Sequence, residues 1–518
     1  MEALLTAASM LTLEATGYIV LGTLLGVVIG AVPGFTGGML IALSIPLTFQ
    51  MGPANALALL VAMYMGSVSG GLVSAILLRL PGTPASVVTT FDGYPLARSG
   101  KVGRALGVAA SASLVGGVVS WVVLAALAYP LSRLAVNFTP WHYFGLVVVA
   151  LALITTVSAG SQLKGLLAAI AGMLLALPGD DPSVGAPRLT FGFGSLENGF
   201  ALLPVFLGIF AVSQLIGAAV AHAPRTEVID PKLHGVWLRW PDYRTHGRNL
   251  ARSSLLGTLI GLLPGVGANI GSIVAYGAAR RASREPERFG EGSEEGIVAS
   301  EAANNATVGG ALIPLVALGI PGSAIDAILI GALILHGVTP GPLLFQNNPD
   351  IFYSILVSCL LSAIMIYFAV IMLARPMLVL VRVPSAYLLP AIFVFCILGA
   401  YGSSGRFYDV WVMLGFGVLG FVMERARVPL APFAIGYVLA PLAETNLRTG
   451  LMISGGSFAP LWSSPVNLAM MAVALLIFLA PFAPRLRAAA EVRSRKGTPA
   501  GAVFSRWRPE PDKVGGDS

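Results

Sequence analysis

Charge is scarce in this chain. Lysine and arginine total 31 and aspartate and glutamate 24, so only 11% of the 518 residues are charged. A soluble domain carries about 25%, because water must wet its surface. Less than half that density cannot cover a water-facing surface of this size, so most of the surface faces lipid. Cysteine is nearly missing. Cys359 and Cys396 both lie inside apolar runs without partner spacing, which supports neither a disulfide framework nor a metal site. The five histidines (His142, His222, His234, His246 and His336) show no ligand spacing and are expected to be structural or loop residues. No Walker motif exists, and Gly265-Val-Gly267-Ala-Asn-Ile-Gly271 lacks the preceding strand and acidic partner of a dinucleotide site. The first residues carry no basic segment ahead of the first apolar run, so no cleavable leader is expected.

What is present agrees with lipid. Hydrophobic residues make up 56% of the chain, and mean hydropathy is +0.83. The 61 glycines would be odd in a soluble helical protein but suit membrane helices. Spans of roughly 20 apolar residues are expected near 17–32, 54–78, 105–128, 141–157, 163–178, 200–221, 250–263, 297–318, 352–373, 385–400, 408–423 and 465–483. Four further pieces, 36–50, 266–279, 322–338 and 429–443, are too short or too broken to span alone. Such pieces persist at membrane depth only when packed in protein or lining a cavity. The expected fold is an all-α polytopic membrane protein with about 12 transmembrane helices.

Two motifs recur in the same order. Gly26-Val-Val-Ile-Gly30-Ala-Val-Pro33-Gly34 matches Gly257-Thr-Leu-Ile-Gly261-Leu-Leu-Pro264-Gly265 at an offset of 231. Leu80-Pro81-Gly82-Thr83 matches Ile320-Pro321-Gly322-Ser323 at an offset of 240. Charge then relates the halves. Residues 1–78 contain no Lys or Arg, and Arg79, Arg98, Lys101 and Arg104 surround or follow the second motif; in the second half Arg280, Arg281, Arg284 and Arg288 follow the first motif, and 289–374 are free of Lys and Arg. If basic ends are cytoplasmic, equivalent motifs face opposite sides. That predicts two inverted-topology repeats with Pro-Gly-broken or re-entrant helices, as in many secondary transporters. The expected division is a first transmembrane repeat over 1–222, a basic cytoplasmic connecting loop over 223–249, a second repeat with additional helices over 250–484, and a disordered basic cytoplasmic tail over 485–518.

The breaks have a chemistry. Proline removes a helix hydrogen bond and glycine permits φ > 0, so a broken helix offers carbonyls at one end and amides at the next. The amide end carries roughly half a positive charge and can hold a carboxylate. Small and polar residues follow the breaks: Gly34, Thr36 and Gly37; Gly82 and Thr83; Gly265, Gly267 and Asn269; Gly322 and Ser323. Kinking with close packing is the competing reading. Glu301-Ala-Ala-Asn304-Asn305-Ala-Thr307 is the most polar stretch of an apolar region. Adjacent asparagines cannot share one helix face, so one points to a neighbour or a cavity; interhelical glue and a transport pathway both fit. Glu301 is expected at the cytoplasmic edge beside Glu294 and Glu295. Asp326, an acid in an apolar run, is a cation or proton site or an interfacial residue, with Thr307 as its companion in ion coupling.

Through these residues the chain resembles TctA, the large membrane subunit of the bacterial tripartite tricarboxylate transporters. The resemblance rests on Gly30-Ala-Val-Pro-Gly34, Leu80-Pro-Gly-Thr-Pro-Ala-Ser86, Asp92-Gly-Tyr-Pro-Leu-Ala-Arg98, Gly261-Leu-Leu-Pro-Gly265, Glu301-Ala-Ala-Asn-Asn305 and Leu335-His-Gly-Val-Thr-Pro-Gly-Pro342; Arg79 stands where an uncharged polar residue is expected. It implies a permease of the bacterial inner membrane with a cytoplasmic C-terminus. It further implies a small TctB-like membrane subunit, a TctC-like periplasmic solute-binding protein, and import of a small di- or tricarboxylate on a sodium or proton gradient. It implies no enzyme activity, cofactor, nucleic acid, or metal beyond a transported Na+. An intramembrane enzyme on a lipid-linked substrate and a passive anion channel are the alternatives.

Overall fold

The structure, a computed structural model, describes residues 9–157, 161–181, 185–220, 234–381 and 385–480. It is essentially all helix, with a two-residue β-hairpin pairing Gly179–Asp180 with Pro187–Arg188. The chain is a multi-pass membrane protein. Six described helices are long and apolar enough to cross a bilayer, and several shorter apolar helices accompany them. The expected tail over 485–518 and residues 223–233 of the expected loop lie outside the described residues.

The first half contains α1 (Leu13–Gly30), α2 (Gly37–Ser44), α3 (Pro53–Leu78), α4 (Thr89–Arg98) and α5 (Val102–Ala135). Helices α6 (Pro140–Val157), α7 (Gln162–Leu175) and α8 (Leu202–Val220) follow, the last with a π-helical middle. The second half repeats the order of the first five: α9 (Trp240–Gly261), α10 (Gly267–Ala282), α11 (Glu294–Leu318), α12 (Ala324–Leu335) and α13 (Pro349–Val381). Helices α14 (Ser385–Gly402), α15 (Phe407–Arg425), α16 (Leu430–Ile453) and α17 (Pro465–Leu479) complete the described chain.

Glycine sets the contacts. An added Cβ at Gly26 would meet Met63 and Ser67, and one at Gly30 would overlap the Ser67 carbonyl; Gly257 and Gly261 stand in the same way against Ala303 and Thr307. These partners keep the 231 and 240 offsets of the motifs, so the sequence repeat is a packing repeat. Positions rise together along both helices of each pair, so α1 runs parallel to α3 and α9 to α11. The segment between them must therefore carry the chain back to its starting side.

Contacts between the halves fix the remaining directions. Gly116 abuts Ala302 and Gly309 abuts Ser120, so α5 and α11 are parallel. Trp121 donates to the Leu356 carbonyl at 2.9 Å while Gly117 abuts Ala363, so the corresponding helices α5 and α13 run in opposite directions. Helices α3 and α11 form the centre: residues 56–78 and 296–317 are buried throughout. A helix walled by protein on every side need not be apolar. That is why α11 carries Glu301, Asn304 and Asn305, and why it falls outside the six apolar spans.

Two expectations are corrected. Residues 429–443 were expected as an interrupted piece, whereas α16 continues for 24 residues. Pro432 sits in its first turn, where an N–H is unbonded anyway, and Gly436 serves close packing on the Ala169 carbonyl of α7. Its polar end is held by Glu444 and Arg448, which pair with Arg188 and Asp181 beside the hairpin. Helix α9 begins at Trp240, inside the expected loop, because Arg104 clasps Asp242 and Glu294 at 2.8 and 2.7 Å, with His246 on Glu294 at 3.2 Å. The Arg104 guanidinium holds the Asp242 carboxyl below the usual carboxylate range. The clasp is thus intact above the ordinary carboxylate pKa and loosens as pH falls through the lowered one.

Asp92 fastens the halves where the loop enters α11. It is fully buried; Oδ1 accepts the N–H groups of Gly290, Gly292 and Ser293 at 2.8, 3.0 and 2.8 Å, and Oδ2 accepts the Tyr276 hydroxyl at 2.8 Å. Replacing Asp92 with alanine strands three amides, at roughly 1–3 kcal/mol each. Asp92→Ala should therefore lower the melting temperature and membrane abundance sharply. Wild-type thermal stability for this variant would contradict the clamp.

Candidate functional site

The four Pro-Gly breaks meet. Gly82 lies against the Gly30 carbonyl, and Gly322 lies 3.0 Å, from its would-be Cβ, off the carbonyl of the corresponding Gly261. Gly265 donates its N–H to the Gly322 carbonyl at 2.8 Å. So the two breaks within each half touch. Across the halves, α2 packs on α12, and the turn at Pro84–Val87 packs on α10. The contacts close into a ring of four breaks around α3 and α11.

The first turns of α2 and α12 form one arc of the ring. Thr36 caps α2 by accepting from the Met39 N–H at 3.2 Å, and Ser323 caps α12 by accepting from the Asp326 N–H at 3.3 Å. Gly37 lacks a Cβ that would collide with Ser67 and reach Ile325, so the two helix starts touch over Ser67. Around them, Tyr64 meets Ser323 at 3.2 Å, and Gln214 donates to Thr36 at 3.2 Å. Two positive helix ends and several hydroxyls thus share one place, without a lysine or arginine on α2, α3 or α12. This is chemistry for a carboxylate. Asp326 is fully buried there, and neither of its carboxyl oxygens is hydrogen-bonded among the described residues.

The opposite arc holds Thr83 and the residues around the Pro264-Gly265 break. Thr83 forms a capping box with Ser86, its N–H donating to the Ser86 hydroxyl at 3.1 Å. Gly265 and Gly267 are half-buried with φ of 79° and 67°, and Thr307 donates to the Ala303 carbonyl at 2.7 Å beside Gly271. Asn269 and Gly34 are exposed, Gly34 with φ of 89°.

Both asparagines reach α3. Asn304 donates to the Val68 carbonyl at 3.2 Å, and Asn305 accepts the Ser69 hydroxyl at 2.6 Å. Asn304 Oδ1 is buried without a partner. Glu301 is fully buried, accepting the Thr89 hydroxyl and, at 3.3 Å, that of Ser113. Sequence reasoning missed Tyr64, Ser67 and Ser69, the polar residues of a wholly buried helix, and also Ser113 and Gln214. Hydroxyls in an apolar run were the available signal.

A family model for the tripartite tricarboxylate transporter TctA family matches residues 17–435. The chain belongs to that family. TctA proteins are transporters, the membrane component of a tripartite system with other subunits. An uncharacterised 52.8 kDa protein in the TAR-I ttuC' 3' region of Agrobacterium vitis is 35% identical over 466 residues, covering 90% of this chain and 93% of the relative. An uncharacterised protein in the TAR-II ttuC' 3' region of the same organism is 32% identical over 199 residues, 38% of this chain and 82% of the relative. No solved structure matches. The TctA match includes all four breaks and every predicted site residue.

Proposed function

We propose that this chain is the permease of a secondary active transporter that imports a small di- or tricarboxylate. The observation that carries this reading is the ring of four Pro-Gly breaks, where two helix N-termini meet with no basic side chain to outbid them. A carboxylate held by amides and hydroxyls is released more readily than one paired with buried arginine, as transport requires. The site comprises Gly34, Thr36, Gly37, Gly82, Thr83, Gly265, Gly267, Asn269, Asn304, Asn305, Gly322 and Ser323, with α2 and α12 central. Asp326 and Thr307 serve a coupling Na+ or H+. No cofactor enters the scheme.

The halves, 1–222 and 250–484, are read as inverted-topology repeats within about 12 transmembrane helices. The opposed directions of corresponding helices α5 and α13 support this, as does the charge pattern. By positive-inside reasoning the 223–249 connection and the 485–518 tail are cytoplasmic in the bacterial inner membrane. A reporter after Gly100, within 225–250 or after Gly497 should read cytoplasmic, and one at Asn347-Asn348 periplasmic. A cytoplasmic signal at Asn347-Asn348 would remove the inverted-repeat reading.

A TctC-like periplasmic binding protein delivers the substrate, and a TctB-like subunit completes the system. The test is uptake of labelled di- and tricarboxylates into proteoliposomes holding this chain and its small subunit, with binding protein outside and an imposed sodium or proton gradient. Accumulation that needs both binding protein and gradient is expected. Uptake that persists after the gradient is dissipated would indicate a channel, and no uptake with turnover of a lipid-linked substrate an enzyme.

A further inference from the structure

At one position of the repeat the second half carries a buried carboxyl where the first carries a hydroxyl. At the 240 offset Thr83 corresponds to Ser323 and Ser86 to Asp326. In the first half Ser86 does what a third helical residue usually does: its hydroxyl accepts the N–H of the cap residue, Thr83, at 3.1 Å. Asp326 holds the same position, and its carboxyl lies near the Ser323 N–H and hydroxyl without closing a hydrogen bond to either. Its own N–H donates to Ser323 at 3.3 Å, while both carboxyl oxygens stay buried and unbonded among the described residues. The capping box that Ser86 closes in the first half is thus left open in the second.

We propose that Asp326 takes up and releases the proton that accompanies the imported anion. An ionised carboxylate buried without a partner costs several kcal/mol, so such a group is neutral or cation-bound. Among the described residues, the elements packed on α12 supply no free cation. Helix α2 and residues 202–206 of α8 carry no titratable side chain, and α3 contributes Tyr64, whose hydroxyl lies 3.2 Å from Ser323. On α11, Glu301 is engaged by Thr89 and Ser113, and Glu294 and Glu295 stand at the far end of the helix. On α16, Tyr437 donates to the Phe200 carbonyl, and Glu444 and Arg448 pair with Arg188 and Asp181. A metal cation needs a shell of oxygens. Beside the carboxyl stand the Ser323 and Tyr64 hydroxyls, already bonded to each other. A proton needs one oxygen. Protonated, Asp326 leaves the meeting point of α2 and α12 positive and open to a carboxylate; ionised, it repels one. The transported anion and the proton thereby travel together.

The role in uptake rests on the transport reading above, whereas proton binding does not. The test is infrared difference spectroscopy of the purified full chain in lipid nanodiscs, titrated from acid to alkaline pH. A protonated-carboxyl C=O band that is lost on alkalinisation, shifts with carbon-13 aspartate and is missing in Asp326→Asn is expected. The isotope arm identifies aspartate even if the variant fails to fold. No aspartate band at any pH would overturn the proposal, and so would a band removed by adding sodium at fixed pH. If uptake assays fail while the band is found, the transport reading falls and the proton site stands.

Discussion

Gly265→Val should abolish uptake, and Gly82→Ala should come close. At Gly265 the backbone has φ of 79°, a region closed to β-branched residues, and an added Cβ would collide with Ile154. The N–H that bonds the Gly322 carbonyl would be displaced with it. At Gly82 the obstacle is the backbone of Gly30 and the Gly71 Cα, 2.8 Å from an added Cβ, neither of which can swing aside. Overpacking of this kind costs typically 1–3 kcal/mol and more against rigid backbone. Gly34→Ala is the contrast: its Cβ meets open space, so only the positive φ of 89° is strained, at roughly 1–2 kcal/mol. Uptake at matched membrane abundance should rank Gly265→Val below Gly82→Ala below Gly34→Ala. Equal activities would mean that the ring has no tight joints.

Asn304→Ala should raise the carboxylate concentration that half-saturates uptake by ten- to a hundredfold. The estimate is one hydrogen bond to a charged group, about 1.5–3 kcal/mol, or one to two decades of affinity. Of its two amide N–H donors Asn304 gives one to the Val68 carbonyl, and the other is the group that would meet a carboxylate. Thr83→Ala is expected to be milder, about 1 kcal/mol, because that hydroxyl serves a cap with Ser86. If Asn304→Ala lowers abundance but leaves half-saturation unchanged, the residue is glue between α3 and α11, and the site lies elsewhere.

The helices were legible because lipid and protein cores impose the same length and polarity on the chain. The span expected at 54–78 is Pro53–Leu78, and that at 297–318 is Glu294–Leu318. The broken pieces 36–50, 266–279 and 322–338 were legible from proline and glycine, and the repeat offsets reappear as helix contacts. The 429–443 piece misled because the same residue types served packing there. The burial of Glu301 was not legible, because its partners Thr89 and Ser113 lie far away in sequence. No local signal reports such a pairing. The adjacent asparagines were expected to diverge, yet both reach α3, since a helix in parallel or antiparallel contact on a crowded face covers more than one direction. Which hydroxyls cap helices, as Thr36 and Ser323 do, is settled only by tertiary packing.

Thiol labelling at Thr36→Cys and Ser323→Cys tests the central claim most directly. The background would be a transport-competent chain with Cys359 and Cys396, both buried, replaced by alanine. If the meeting point of α2 and α12 is the carboxylate site of a carrier, each cysteine should react with membrane-impermeant reagent applied from either side in turn. Saturating transported carboxylate should slow both reactions. Labelling from one side alone, or at a rate indifferent to carboxylate, would contradict the account.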